Sequence, residues 1–263
     1  MTQPSLELAP ERPRWDDHAV ALVASEPLGP HRRLVLAMPS LEERFRPGQF
    51  LNLSVPGHVL RRPLAPSRHE GAEVELIVTP FGPGTRDLVA LPVGTRLQAL
   101  APLGNSFPLP EGAAALVSAG AGAAPLARLV EELLRAGRRV HVFHGAASNE
   151  DRPLVQAVYE RLGLEVRYFS EDGSLGRRGY PTEGLAELLA GGDEVTVYSV
   201  GPFALMRAAA RLAIEHDRPG YVSLDVHMAC GVGACLSCAV QTTAGQKHAC
   251  ADGPVFEVRE VVW

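Results

Sequence analysis

Ala114-Ala-Leu-Val-Ser-Ala-Gly-Ala-Gly-Ala-Ala-Pro-Leu126 decides how this chain is divided. An apolar run of strand length leads straight into a glycine-containing turn. Leu126, Leu129, Val130, Leu133 and Leu134 then recur at helical spacing until Gly137 ends the pattern. A strand that hands over to a helix through glycines opens a parallel, doubly wound sheet. The turn Gly120-Ala-Gly122-Ala-Ala-Pro125 lacks the third glycine of the usual dinucleotide fingerprint, with Pro125 in its place. Two glycines and a helix N-terminus still offer a seat for a pyrophosphate. A tight turn with no ligand is the competing reading.

Downstream, the alternation continues. Val140-His-Val-Phe-His-Gly reads as a strand, Arg152–Leu162 as a helix, Glu165–Phe169 as a strand and Glu183–Leu189 as a helix. Val195-Thr-Val-Tyr-Ser-Val then forms a strand and Phe203–Glu215 a helix. Gly201-Pro202, at a strand's carboxyl end, is placed to line the same crevice as Gly120 and Gly122. Ser170-Glu-Asp-Gly-Ser-Leu-Gly is a polar loop suited to ribose or to solvent.

Upstream, the texture differs. Val20 and Leu22, Leu34 and Leu36, Phe50-Leu-Asn-Leu-Ser-Val, Val74 to Val78, and Gly94-Thr-Arg-Leu-Gln-Ala-Leu alternate with period two between turn signals such as Leu28-Gly-Pro and Arg46-Pro-Gly-Gln. Short strands at this spacing predict a small antiparallel barrel, with one short helix near Gly84-Thr-Arg-Asp-Leu. Arg62 in Arg61-Arg-Pro-Leu-Ala could pair with a flavin pyrophosphate through two parallel hydrogen bonds, or could be a solvated turn. Gly84-Thr85 ahead of a helix could approach a phosphate, or Thr85 could simply cap that helix.

All four cysteines fall near the C-terminal end. Met228-Ala-Cys-Gly-Val-Gly-Ala-Cys-Leu-Ser-Cys-Ala-Val is followed, with eleven residues intervening after Cys238, by Cys250. This C-x4-C-x2-C…C pattern is the plant-type ferredoxin spacing for a [2Fe–2S] cluster. Gly231 and Gly233 let the backbone curl and turn its N–H groups toward sulfur. A four-cysteine zinc site usually pairs its ligands as two C-x-x-C knuckles, and only one such pair is present. Strands predicted at Val222–Val226 and Cys238–Gln241 frame a third, compact unit. The expected architecture is therefore multi-domain: residues 1–110 a β-barrel, 111–220 an α/β unit with a doubly wound parallel sheet, and 221–263 a cluster unit.

Composition narrows the function. A net charge of −5 with no basic block excludes nucleic acid as an expected partner. No apolar run reaches the ~20 residues that span a bilayer. Met1-Thr-Gln-Pro-Ser-Leu-Glu shows no signal-peptide pattern, and cysteines gathered in one thiolate set suit a reducing cytoplasm. His141, His144, His216, His227 and His248 lack ligand spacing and read mostly as strand-edge or surface residues. No G-x-S-x-G nucleophile elbow is present.

With these pieces in order, the chain resembles the electron-transfer subunits of type B dihydroorotate dehydrogenase, a family of the ferredoxin–NADP reductase superfamily. The resemblance is carried by Pro47-Gly-Gln-Phe, Arg62-Pro63, Gly84-Thr85, Pro102-Leu-Gly-Asn-Ser-Phe107, the Gly120–Leu126 turn, Glu171-Asp-Gly-Ser and Met228–Cys250 with Asp252-Gly-Pro-Val-Phe256. It implies FAD in the barrel, held through Arg62, Pro63, Leu64 and Ala65, the strand at Ile77, Val78 and Thr79, and Gly84 with Thr85. It implies NAD as substrate in the α/β unit and cluster ligation by Cys230, Cys235, Cys238 and Cys250. It further implies a separate FMN-containing dihydroorotate dehydrogenase subunit as partner, in a two-plus-two heterotetramer serving pyrimidine (UMP) synthesis. Ala65 stands where that family usually has serine, Ala119 replaces a glycine in the nucleotide turn, and Ala101 and Ser106 replace glycines around Pro102-Leu-Gly-Asn. Two other functions fit less of this pattern. One is a related NAD(P)H reductase subunit serving sulfide, sulfite or hydrogenase chemistry. The other is a zinc-stabilised or redox-sensing adaptor on the same fold.

Overall fold

A computed structural model describes residues 15–41 and 45–263. The N-terminal segment read above for a signal peptide lies outside the described residues. Seven antiparallel strands come first: β1 (Asp16–Leu28), β2 (His31–Ala37), β3 (Phe50–Leu53), β4 (Arg62–Leu64), β5 (Pro66–Glu70), β6 (Glu73–Val78) and β7 (Arg96–Leu103). Their order across the sheet is β4-β3-β7-β1-β2-β6-β5. The two edge strands, β4 and β5, are separated in the chain by Ala65 alone. Two edges joined by one residue can exist only if the sheet curls back on itself, so the predicted barrel is observed. Alternate residues such as Leu22, Leu34, Leu36, Leu51, Leu53 and Leu76 fill its interior. Helix α1 (Pro83–Ala90) adds Leu88 to that core. It starts one residue before the expected Gly84, because Pro83 fixes a helical φ at the first position.

The second sheet is built from β8 (Ala113–Ala119), β9 (Val140–Ala146), β10 (Val166–Ser170), β11 (Arg177–Arg178), β12 (Val195–Val200) and β13 (Gly220–Ser223), all parallel. The order is β11-β10-β9-β8-β12-β13. Successive residues of β8 alternate faces. Leu116 packs with α2 (Ala123–Arg135) and α3 (Arg152–Val158), and Ala115 and Val117 pack with α4 (Pro181–Ala190) and α5 (Phe203–Glu215). Helices on both faces make this the expected doubly wound sheet. The strand order reverses between β8 and β12, and the crevice at that reversal is where such sheets take ligands. The turns holding Gly120 and Gly201 open at that point.

Both strands expected around the cysteine segment are present, but the first belongs to the α/β sheet. The predicted strand Val222–Val226 is β13, which ends at Ser223 and pairs with β12 inside the α/β sheet. A hairpin follows, β14 (Ala239–Thr242) and β15 (Gly245–His248). The last strand, β16 (Val255–Glu257), returns antiparallel to β13. No helix of the described residues is long and apolar enough to cross a membrane.

Candidate functional site: a nucleotide cavity and a four-cysteine loop

One cavity of about 1140 Å3 lies between barrel and α/β sheet. That exceeds the upper end of single-ligand pockets, about 1,000 Å3. Pro63, Leu64, Ala65, Ile77 and Thr79 form its barrel wall, and Gly120, Gly122 and Gly201 line the opposite side. The structure thus brings together eight of the residues expected from sequence. The two glycines of the first turn act differently. Gly120 has φ +50°, a left-handed conformation costly for other residues. A Cβ on Gly122 would stand 2.4 Å from the Val200 carbonyl oxygen, so only glycine lets α2 start against the end of β12.

Arg62, Val78, Gly84 and Thr85 do not form this wall. Val78 is buried in the barrel core. The Arg62 guanidinium lies against Gly84, where a Cβ would meet its Nη2 at 1.8 Å. It donates to the carbonyls of Leu60 (2.6 Å) and Arg61 (3.2 Å) and contacts His58 Nδ1 at 3.1 Å. The Thr85 hydroxyl closes the helix start on Gly82, accepting from its N–H and donating to its carbonyl, each at 3.1 Å. Arg62 and the α1 N-terminus therefore form one corner, outside the cavity wall.

Sequence reasoning missed a second polar feature of the wall. His31 Nδ1 lies 2.8 Å from Thr79 Oγ1, and its Nε2 lies 3.1 Å from Asp151 Oδ1. These residues come from the start of β2, the end of β6 and the turn before α3. Their sequence separations, 48 and 120 residues, left no local signal. His144, expected at an edge or surface, is instead fully buried in β9. Its Nδ1 meets Ser118 Oγ at 3.0 Å, and burial pulls its pKa down to about 4.

The cysteines occupy a loop between β13 and the hairpin and at the hairpin's end. Cys238 and Cys250 are buried with sulfurs 3.3 Å apart, whereas Cys235 is exposed. Gly231 and Gly233, at φ +77° and +80°, bend the chain so that amides face sulfur. The Gly233 N–H donates to Cys250 Sγ at 3.2 Å, and the Val232 and Cys235 N–H groups donate to Cys230 Sγ at 3.4 Å each. Such N–H···S bonds stabilise thiolate sulfur on an iron–sulfur cluster. Among the described residues no three His, Cys, Asp or Glu side chains converge on one ion position. The Ser237 hydroxyl, 3.2 Å away, and nearby amides pull the Cys235 thiol down to about 6. Desolvation, with Cys238 adding to it, pushes Cys250 up to about 12.

Barrel and loop are locked together. Asn105 holds Val255 on both sides, donating to its carbonyl at 2.8 Å and accepting from its N–H at 2.9 Å. A Cβ on Gly104 would stand 2.5 Å from Pro254 Cδ. The Leu-Gly-Asn and Asp-Gly-Pro-Val motifs of the sequence are thus two halves of one contact.

A barrel and a doubly wound sheet facing each other across one cavity, with a four-cysteine loop alongside, define a reductase of the ferredoxin–NADP reductase type. Residues 225–262 match the iron–sulfur cluster binding domain of dihydroorotate dehydrogenase B. The dihydroorotate dehydrogenase B (NAD(+)) electron transfer subunit of Enterococcus faecalis is 34% identical over 258 residues, which cover 92% of this chain and 97% of that one. The subunit of the same name from Desulforamulus reducens is 36% identical, over 82% of this chain and 87% of its own. The chain belongs to the family of dihydroorotate dehydrogenase B electron transfer subunits. Among solved structures, the NADH-dependent reduced ferredoxin-NADP oxidoreductase is similar at TM-score 0.85 and 27% identity, covering 92% of this chain and 89% of that one. Phthalate dioxygenase reductase, at TM-score 0.63 and 17% identity over 86% and 87%, shares the fold.

Proposed function

We propose that this chain passes electrons between NAD(H) and a separate FMN-containing subunit that oxidises dihydroorotate to orotate in pyrimidine synthesis. Cys230, Cys235, Cys238 and Cys250 hold a [2Fe–2S] cluster. Pro63, Leu64, Ala65, Ile77 and Thr79 cradle FAD, with the backbone at Val78 behind them and Arg62, Gly84 and Thr85 at its pyrophosphate. Gly120, Gly122 and Gly201 seat the NAD pyrophosphate and its flanks. When bound, FAD supplies the exchange between two-electron hydride chemistry and the single electrons a cluster carries. The protein's own work is placement. Left-handed glycines bring amides to phosphate and sulfur, the apolar barrel wall excludes water, and Asn105 fixes the cluster loop against the barrel. The functional units run 1–110, 111–220 and 221–263, with β13 and β16 rooting the third in the sheet of the second. Two copies join two partner subunits in a cytoplasmic heterotetramer.

The observation that carries this reading is the cavity walled by barrel residues on one side and by the Gly120–Gly122 turn and Gly201 on the other, with the four-cysteine loop fixed beside it. A second reading, a reductase subunit serving other NAD(P)H chemistry, draws on the likeness to the ferredoxin-NADP oxidoreductase structure. Purification of the native complex separates them. The expected result is co-purification with an FMN-containing dihydroorotate dehydrogenase chain, with two irons and two labile sulfides per copy of this chain. The isolated chain should reduce dyes with NADH yet leave dihydroorotate untouched. A single zinc without sulfide, or dihydroorotate oxidation by this chain alone, would overturn the proposal.

A further inference from the structure

With the FAD pyrophosphate assigned to the Arg62 corner, the cavity wall itself carries little that could neutralise the diphosphate of NAD(H). That wall contains the carboxylates of Asp151, Glu171 and Asp225, and neither lysine nor arginine. Arg62 stands outside it, on Gly84. The one side chain in the wall able to hold positive charge is His31. Its position suits that task. The ring is buried, with its two nitrogens on Thr79 from the barrel and Asp151 from the α/β unit. The second oxygen of Asp151 lies 3.9 Å from where a Cβ on Gly120 would stand. A diphosphate on the Gly120–Gly122 turn therefore arrives beside a carboxylate, and unrelieved like charges there oppose binding.

We propose that His31 is the cation of the dinucleotide site, and that NAD(H) binds together with a proton taken up from solvent onto the His31 ring. This rests on the assignment of NAD(H) to the cavity. In the neutral ring, Nε2–H donates to Asp151 and Nδ1 accepts from the Thr79 hydroxyl. In the protonated ring both nitrogens donate, so the Thr79 oxygen becomes an acceptor toward His31. Its O–H is then free to donate into the cavity. One proton thus supplies a positive charge and reverses the polarity of Thr79. The other groups facing the pair are few. His144, in β9, feels both Asp151 and His31, but burial keeps it neutral down to about pH 4. Glu150 approaches this corner with its backbone carbonyl, against Gly29, while its side chain is exposed. Arg32 is engaged by Ser25, and Arg33 by Glu26 and Glu75.

The test uses the FAD- and cluster-loaded protein and ADP-ribose, a redox-silent probe that keeps the diphosphate. Titration calorimetry in two buffers of different ionisation heat counts protons. Net proton uptake on binding ADP-ribose is expected. Affinity should fall as pH rises. Adenosine, which lacks the diphosphate, should bind without uptake. His31→Gln keeps hydrogen bonds to Asp151 and Thr79 but cannot be protonated. It should bind about tenfold more weakly at pH 6, with no uptake and a flat pH profile, which corresponds to about 1.4 kcal/mol. An unchanged far-ultraviolet circular dichroism spectrum and an unchanged thermal melt show that this variant is folded. Absence of proton uptake in the parent protein, or the same uptake in His31→Gln, overturns the inference and leaves the NAD(H) assignment standing. Failure of ADP-ribose to bind the parent protein overturns both.

Discussion

His144 shows how a single residue ties this fold to pH. Its Nδ1 meets Ser118, Ser118 meets Tyr159 OH at 3.0 Å, and its own Nε2 is buried without a partner. The unfolded chain takes up a proton here near pH 6.5, whereas the folded ring resists until about 4. Protons therefore bind the unfolded state first, and stability falls as the pH drops through that window. The loss reaches about 3 kcal/mol at its lower end. Thermal melts of the parent and of His144→Phe between pH 7 and 4 should diverge, with a shallower acid slope in the variant. Equal slopes would show that His144 is not the group responsible. At this scale the sequence was legible where chemistry is local. Four cysteines at ferredoxin spacing, with Gly231 and Gly233 between them, could be read as one local group. His31 and Asp151 could not, because their pairing exists only once barrel and sheet have met.

Among the elements, α1 and the strand β4 act as one device. The Arg62 side chain crosses to α1 and rests on Gly84, and His58, which touches Arg62, also meets Asp87 of the helix at 2.7 Å. Arg62→Ala should weaken FAD binding by about 1.5–3 kcal/mol, the range for a hydrogen bond to a charged group. Gly84→Ala should mimic it, since the new methyl must push the guanidinium aside. The double variant should be no weaker than the worse single one, as expected of two residues in contact. Flavin fluorescence titration checks this, and simple additivity would refute the shared corner. The long strands and amphipathic helices were legible because their patterns repeat. β4 and β5 were not, being short, proline-containing edge strands with no alternation to read.

For the molecule as a whole, the barrel-then-sheet order was legible from the change of texture near residue 112. What sequence could not give was the closure at Ala65 or the return of β16 to β13, since both are pairings between distant or edge segments. The exit for electrons belongs to this scale too. Leu236 lies in the cysteine loop, half exposed at 56%, and holds φ +61°, a conformation that costs a non-glycine residue about 1–2 kcal/mol. An apolar side chain kept outward at such cost beside an exposed cysteine is where the proposed partner subunit is expected to dock. Leu236→Asp should abolish NAD+ reduction coupled to dihydroorotate oxidation in the reconstituted complex while sparing dye reduction. Undiminished coupling would move the docking surface elsewhere.

The return of β16 beside β13 has a mechanical meaning. The cysteine loop leaves the nucleotide sheet by one strand and re-enters it by the neighbouring one, so it is a handle riveted at both ends, with Asn105 as a third rivet from the barrel. Electron tunnelling weakens exponentially with distance, which makes the gap between cluster and flavin a machined dimension. With the cluster on the four cysteines, that dimension would be set by strand register rather than by the loop's tip. Substitutions around Leu236 can remodel the docking face and leave the gap alone, whereas a one-residue slip of β16 would shift the handle by about 3.3 Å and change it at once.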